Sequence, residues 1–314
     1  MEQQSQRQAM LFGLSAVLLW STVATAFKLS LAYLTPIQLV LFASLTSILA
    51  LGGWVIAKGQ GKALLQTFKR RPVYYLLMGL LNPFLYYVVL FKAYDLLPAQ
   101  QAQPLNYTWA LTLTILSVVM LGQRLTRIDI LACCMGYIGA LIIATGGNVL
   151  GLSFDSPTGV VLALFSTLLW ALYWIYNTRN TDNPVIALLL CFLCGLPFII
   201  AANIVMGDLT WHWKGIAGAI YVGLFEMGIT FVLWLTALKK ATHIARVSNL
   251  IFISPFLSLV FIAFILGEPI QPATFAGLII IVSAVVIQQK QKTAIQDDES
   301  TRADTKVASV TIEP

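Results

Sequence analysis

The chain has 314 residues, of which 59% are hydrophobic and only 10% are charged. An ordinary soluble domain carries about 25% charged residues, so this composition excludes that class and indicates a membrane protein. The net charge of +6 is spread over short polar stretches, which indicates membrane topology rather than nucleic-acid binding.

Ten apolar stretches follow one another along the chain, and most are long enough to cross a bilayer as a helix. Because lipid tolerates only structures that satisfy their own backbone hydrogen bonds, the sequence predicts an all-α, polytopic membrane protein with ten transmembrane helices. The predicted spans cover residues 10–30, 35–57, 73–94, 98–121, 128–147, 158–177, 184–206, 215–238, 244–266 and 271–289.

The two ends of the chain are polar. The start, MEQQSQRQAM, precedes an apolar run that is too long for a signal core, so we expect no cleavable signal peptide. Residues 290–314 have mixed charge and no apolar periodicity, and we expect them to form a disordered cytoplasmic tail. Cys191 and Cys194 have C-x-x-C spacing but lie in an apolar run, which favours packing over redox or metal chemistry.

Lysine and arginine predict the orientation. All but Lys28, Lys92 and Lys214 of the 19 basic residues fall on the same side of the predicted membrane as the N-terminus. Because basic loops stay in the cytoplasm, both termini are predicted to be cytoplasmic.

The chain also contains an internal repeat. SAVLLWSTVATAFKL resembles LFSTLLWALYWIYN, with Trp20 matching Trp170. MGLLNPFLYYVVLFKA aligns with VGLFEMGITFVLWLTA, with Asn82 matching Glu226. The tripeptides LGQ and LGE end the fourth and ninth predicted spans. These matches indicate a duplicated unit of five spans.

The two copies are predicted at residues 10–147 and 158–289. Because five is an odd number, the second copy enters the membrane from the opposite side. The fold is therefore predicted to consist of two inverted five-helix repeats, with a solute site at their interface near the bilayer midplane.

Glu226 is the main candidate for function, because an ionisable residue near the middle of a span is costly and is usually kept for a task. Helical spacing places Ala219, Gly223, Glu226 and Thr230 on one face of the eighth span. Glu226 is predicted either to bind and release a coupling proton or to contact a substrate amine. Alternatively, its carboxyl bonds to a neighbouring helix and only locks the packing.

The matching face of the third span carries Gly79, Asn82 and Tyr86. Small residues allow helices to approach closely or leave a gap, and polar ones face the protein interior. We therefore expect the faces of the third and eighth spans to meet across a central cavity.

Three other basic side chains lie towards the predicted outer side of the membrane. Lys28 either reaches the outer surface or offers a cation to a substrate carboxylate in the cavity. Lys92 is predicted to extend to the surface. His212 lies between Trp211 and Trp213, a group that is typical of an interfacial aromatic belt.

Aromatic and amide side chains cluster at membrane depth. Each one alone is explained by packing or lipid contact, but as a set around a cavity they would hold a flat or amphiphilic solute. Helix-interior prolines, such as Pro83, allow kinks that suit a protein with two openings. The candidate substrate-binding residues are Trp20, Asn82, Tyr86, Tyr87, Asn106, Tyr107, Trp109, Trp170, Glu226 and Thr230.

Several motifs resemble a known family. The LLW near the start of each half, PFLSLVFIAFILGE and GLIIIVSAVVI resemble the EamA-type drug/metabolite transporter (DMT) superfamily. NYTWALTL together with LLWSTVATAFK resembles its bacterial aromatic amino acid exporter branch. That resemblance implies a protein of the bacterial inner (plasma) membrane with a central cavity lined by Trp20, Tyr107, Trp109 and Trp170. Ser44 stands near a position where the superfamily commonly has arginine, and Ala110 stands where it often has proline.

No enzyme motif is present: there is no phosphate-binding loop, no G-x-S-x-G and no His/acid cluster. We predict a secondary exporter of small metabolites such as amino acids, with aromatic ones as an option. One alternative is a sugar-phosphate or nucleotide-sugar exchanger, which requires basic residues in the cavity. Another is a non-transporting sensor or assembly protein with a tightly packed centre. The expected partners are a small-molecule substrate and the lipid bilayer, without nucleic acid, metal or cofactor, and the chain is expected to be monomeric.

Overall fold

The structure is a computed structural model of the chain. Its backbone is described for residues 2–123, 125–152, 154–206 and 210–310. Side chains are described for residues 5–123, 125–152, 154–206, 210–243 and 246–291.

Ten helices of the described chain are long and apolar enough to cross a membrane, which confirms the predicted number. Their boundaries agree with the prediction to within three residues, except that the first begins five residues earlier. An eleventh, shorter helix, Gly61–Arg70, connects the second and third spans. The first to tenth spans are Ser5–Leu31, Pro36–Ala57, Pro72–Leu96, Ala99–Leu121, Arg127–Ala144, Pro157–Thr178, Pro184–Met206, Trp213–Lys240, Arg246–Leu266 and Pro272–Gln291.

Local sequence explains where several spans begin and end. Thr35 with Gln38 and Thr126 with Asp129 form capping boxes that satisfy the first amides of the second and fifth spans. The fourth and ninth spans are followed by Gly122 and Gly267, whose φ angles are 67° and 68°. Glycine adopts this left-handed conformation without a steric penalty, so the repeated Leu-Gly pairs are helix stops.

The third and eighth spans lose regular helical geometry at matching positions. The third span changes from α-helix to a π-helical stretch at Leu80–Leu85, where Asn82 has extended angles (φ −145°, ψ 117°) and precedes Pro83. The eighth span consists of two helices, Trp213–Phe225 and Ile229–Lys240. The break therefore falls at Glu226, the residue that aligns with Asn82.

The fourth and ninth spans are interrupted as well. The fourth consists of helices Ala99–Asn106 and Trp109–Leu121. The ninth passes from a 3-10 turn, Asn249–Ile253, through α-helix Ser254–Phe261 to a π-helical end, Ile262–Leu266. The four interrupted spans thus form two pairs that correspond in the sequence repeat.

Gly79 and Gly223 do not face the central cavity as we expected; they pack against other helices. A Cβ at Gly79 would lie 2.5 Å from the Cys191 carbonyl oxygen and the Gly195 amide nitrogen of the seventh span. A Cβ at Gly223 would overlap the Ala43 carbonyl oxygen of the second span. The third span packs on the seventh as the eighth packs on the second, and glycine permits both close approaches.

Replacing Gly79 with alanine is expected to destabilise the fold by about 1–3 kcal/mol, because the added methyl group meets backbone atoms that cannot move aside. Gly52→Ala is the matched control, since a Cβ there has nothing within 4 Å. In detergent, the unfolding temperature of Gly79→Ala should fall while that of Gly52→Ala should be unchanged or higher. Equal unfolding temperatures for the two variants would contradict this packing.

The last helix differs from the expected disordered tail. Its backbone is helical from Pro272 to Val310. The sequence beyond residue 290 is polar but contains no Gly, and its Pro comes only at the last position, so a helix already nucleated in the membrane can continue through it. Residues 311–314 of the predicted tail lie outside the described part of the chain.

Candidate functional site

A cavity of about 380 Å³ lies in the middle of the helix bundle. Residues from the first, third, fourth and sixth to tenth spans form its wall. The structure brings nine of the ten sequence-predicted residues together around it: Trp20, Asn82, Tyr86, Tyr87, Asn106, Tyr107, Trp109, Trp170 and Glu226. In the sequence, these nine residues are distributed over five different spans.

Thr230 is the exception. It is fully buried but is not part of the cavity wall. The prediction assumed one continuous helix, whereas the eighth span breaks between Phe225 and Ile229, with Gly228 far from helical angles (φ −122°, ψ −98°). The break removes the i, i+4 relation that would place Thr230 above Glu226.

Glu226 lies at this break, immediately after the helix that ends at Phe225. Its amide still donates to the Val222 carbonyl oxygen at 2.8 Å. Its carboxylate accepts a hydrogen bond from the Tyr87 hydroxyl at 3.3 Å. Within the described side chains it forms no ion pair. A carboxylate can accept about four hydrogen bonds, so one bond to the third span leaves most of its capacity open to the cavity.

Trp170 is the centre of an aromatic wall. Its ring stacks on Tyr86 with centroids 4.6 Å apart and on Tyr173 with centroids 5.4 Å apart. Trp109 meets the edge of Trp170 at 6.5 Å and stacks on Trp174 at 6.2 Å. These contacts fix several large rings against each other and present flat apolar surface to a solute.

A second aromatic pair belongs to the wall. Trp20 contacts Trp234 with centroids 5.6 Å apart. Sequence reasoning missed Trp234, as well as Tyr173 and Trp174. The latter two follow Trp170 by three and four positions, so helical spacing could have placed them on its face.

The polar atoms of the wall are only partly paired. The Asn106 amide donates to the Ser166 hydroxyl at 3.0 Å. Asn82 Oδ1 and Gln103 Oε1 are buried without a hydrogen-bond partner among the described atoms. Buried acceptors without partners are costly, which marks these oxygens as places where a ligand or water would bind.

One end of the cavity is lined by buried side chains, and we interpret it as the closed end. Phe27 packs edge-on against Tyr94 and Phe91, with centroids 5.1 and 4.8 Å apart. Lys28 Nζ donates to the carbonyl oxygens of Tyr94 and Leu97 at 2.8 and 2.9 Å. Lys28 therefore neither faces the cavity nor extends to the surface, because it binds the last carbonyls of the third span, where a cation is favoured.

Glu268 forms further hydrogen bonds at the same end of the cavity. Its carboxylate accepts from the amides of Ala99 at 3.0 Å and Gln100 at 3.1 Å. These are the first amides of the fourth span, which has no side-chain cap of its own. The LGE motif thus ties the end of the ninth span to the start of the fourth. Nearby, Lys92 is exposed at the surface, as the sequence predicts, and forms an ion pair with Asp95 at 2.6 Å.

The opposite end of the cavity is less buried, and we interpret it as the opening. Its wall there includes Ser248 and the exposed Gln289, near the point where the ninth span begins and the tenth ends. Lys239 and Lys240 end the eighth span on that side of the bundle. The opening therefore lies on the side that the basic residues predict to be cytoplasmic.

Of the two positions that depart from the superfamily pattern, Ala110 lines the cavity and Ser44 does not.

Comparison with known proteins identifies the family. The model of the EamA-like transporter family matches the chain twice, at residues 7–145 and 157–288. The chain belongs to the EamA-like transporter family. It is a multi-pass membrane protein of the drug/metabolite transporter superfamily, as the motifs in the sequence indicate.

Curated relatives of this EamA protein are named as transporters. It is 24% identical over 284 residues to "Uncharacterized transporter YvbV" of Bacillus subtilis (strain 168), covering 86% of this chain and 88% of that protein. It is 25% identical over 261 residues to "Aromatic amino acid exporter YddG" of Ancylobacter novellus, covering 81% and 87%. A solved crystal structure at 21% identity matches 92% of this chain and 99% of that one with a TM-score of 0.65, which supports the fold.

Proposed function

We propose that this EamA protein is a secondary exporter of small metabolites that works by alternating access. The observation that carries the proposal is the central cavity, which holds Glu226, has buried Phe27 and Tyr94 at one end and has exposed Gln289 in its wall at the other. We place it in a bacterial inner membrane with both termini in the cytoplasm, because basic residues concentrate on that side. In that orientation the cavity opens to the cytoplasm, which is where an exporter collects its substrate.

Alternating access requires that the closed end opens while the open end closes. The contacts to be broken are those of Phe27, Lys28 and Glu268, which link the first, third, fourth and ninth spans. The interrupted third, fourth, eighth and ninth spans offer points at which helices can bend. Their pairing, and the two matches to one family model, support two inverted repeats that rock against each other.

The wall suits amphiphilic solutes such as amino acids, with aromatic ones included. Trp170 and its neighbours offer flat surface to an apolar body, and Glu226 offers a carboxylate to an amine or a site for a coupling proton. Asn82 is the symmetry-related polar partner of Glu226. The similarity to a protein named as an aromatic amino acid exporter is consistent with this class of substrate.

The alternatives have less support. A sugar-phosphate or nucleotide-sugar exchanger needs cations around the solute, but the described wall contains no lysine, arginine or histidine. A sensor or assembly protein would have a tightly packed centre, in contrast to a cavity of about 380 Å³.

Efflux from proteoliposomes tests the proposal. Vesicles containing the purified protein are loaded with a labelled mixture of amino acids and amines, and release is compared with that from protein-free vesicles. We expect faster release of a subset of solutes, and competition by the unlabelled members of that subset. Release equal to that of protein-free vesicles for every solute would overturn the proposed function.

A further inference from the structure

The charge of the cavity wall points to a narrower class of substrate. Glu226 is the one acidic residue among the described residues of the wall, and the same set contains no lysine, arginine or histidine. With Glu226 ionised, the wall carries a net negative charge. Charges interact strongly in a site with little water, so the wall attracts a cation and repels an anion.

Hydrogen-bond capacity agrees with this charge. Asn82 Oδ1 and Gln103 Oε1 belong to side chains that are only 2% and 6% exposed, and neither oxygen has a partner among the described atoms. An ammonium group has three donors and no acceptor, and it would satisfy such oxygens together with Glu226.

A substrate carboxylate finds no matching cation. The nearest basic candidate from the sequence, Lys28, donates to the carbonyl oxygens of Tyr94 and Leu97 and does not line the cavity. The Trp174 indole N–H is an unpaired donor in the wall, but it is neutral and cannot balance a negative charge. Burying an uncompensated carboxylate is expensive, so zwitterions and anions are disfavoured relative to cations.

We infer that the cavity selects organic cations: solutes with an aromatic or apolar body and an amine, but without a free carboxylate. The rings of Trp170, Tyr86 and Trp109 add attraction for both parts of such a solute, by stacking on the body and by cation–π contact with the amine. This inference rests on the proposed transport function and narrows the substrate from small amphiphilic metabolites, of which amino acids are one example, to aryl-alkyl amines and similar cations.

A matched series of four probes tests the inference: 2-phenylethylamine, 2-phenylethanol, phenylalanine and 3-phenylpropionate. They share a phenyl body and differ in charge. Binding to the purified protein, followed by tryptophan fluorescence or calorimetry, should be at least about tenfold tighter for the amine than for phenylalanine, and weakest for 3-phenylpropionate. Glu226→Gln should remove the preference for the amine over the alcohol, while binding of the alcohol reports that the variant cavity is intact.

The outcomes separate the two proposals. Phenylalanine binding as tightly as the amine, or a preference for the amine that survives Glu226→Gln, would overturn the cation inference. So would efflux of solutes from the broad mixture without binding of any member of this series. The proposed function fails separately, if no solute of that mixture leaves the proteoliposomes.

Discussion

Replacing Glu226 with glutamine is expected to reduce solute efflux from proteoliposomes by at least about 30-fold. Glutamine has the same shape and keeps an oxygen that can accept from the Tyr87 hydroxyl, so the local fold should persist. Glutamine lacks the ionisable carboxyl group. Its side chain therefore can neither form an ion pair with an amine nor bind and release a coupling proton. Loss of one member of a buried charge pair costs about 2–5 kcal/mol, which corresponds to at least that change in rate or affinity.

The control for this variant is Asp95→Asn. It makes the same chemical change on the third span, but Asp95 pairs with Lys92 outside the cavity wall, so transport should be close to wild type. Efflux driven by a pH gradient measures the coupling role separately. If Glu226→Gln kept both the rate and the response to the pH gradient, the carboxyl would have only a structural role.

Replacing Trp170 with leucine is expected to weaken solute binding by about fivefold or more. Trp170 contacts Tyr86, Trp109, Tyr173 and Trp174, so its loss removes flat surface and also releases its neighbours. Aromatic anchors of this kind contribute more than about 1 kcal/mol each to binding. The measurement is the substrate concentration that gives half-maximal efflux.

Two further variants distinguish a loss of binding surface at Trp170 from a general loss of stability. Trp170→Phe keeps one ring and should restore much of the affinity, which a general folding defect would not show. Trp54→Leu changes a partly exposed tryptophan of the second span outside the cavity wall, and it should leave affinity unchanged. Similar losses for Trp54→Leu and Trp170→Leu would mean that Trp170 acts through stability alone.

Hydropathy and the internal repeat predicted the number of spans, and they brought attention to the residues that line the cavity. Glu226 and Asn82 were found because a polar residue at membrane depth is costly at two matching positions. Trp20 and Trp170 were found in the same way, from aligned LLW segments. These predictions depend on the type of each residue and on its position in the repeat, and both can be read from the sequence without knowing how the helices pack.

The errors have a common cause, which is that periodicity describes an unbroken helix. Thr230 was assigned to the face of Glu226, but the break before Ile229 turns it away. Gly79 and Gly223 were expected to face the cavity, but they lie where helices from the other half of the chain approach closely. The residue pattern within one span does not show which other helix packs against that span in the fold.

Contacts between residues that lie far apart in the sequence could not be predicted either. Lys28 had two interpretations, and neither included the carbonyl oxygens of Tyr94 and Leu97, more than sixty residues away. Glu268 was noticed only as part of a family motif. Its role as the cap of the fourth span depends on the amide of Ala99, which is 169 positions earlier in the chain.

Side-specific labelling of the cavity tests the central claim of alternating access most directly. Ala110 lines the cavity, so we would introduce Ala110→Cys after replacing the four natural cysteines, with Leu49→Cys, 76% exposed on the outside of the bundle, as the lipid-facing control. A membrane-impermeant thiol reagent should label Ala110→Cys in inside-out vesicles, and a transported solute should change labelling in both inside-out and right-side-out vesicles. Labelling of Ala110→Cys from neither side, or no more than that of Leu49→Cys, would contradict a water-accessible cavity that opens to the two sides in turn.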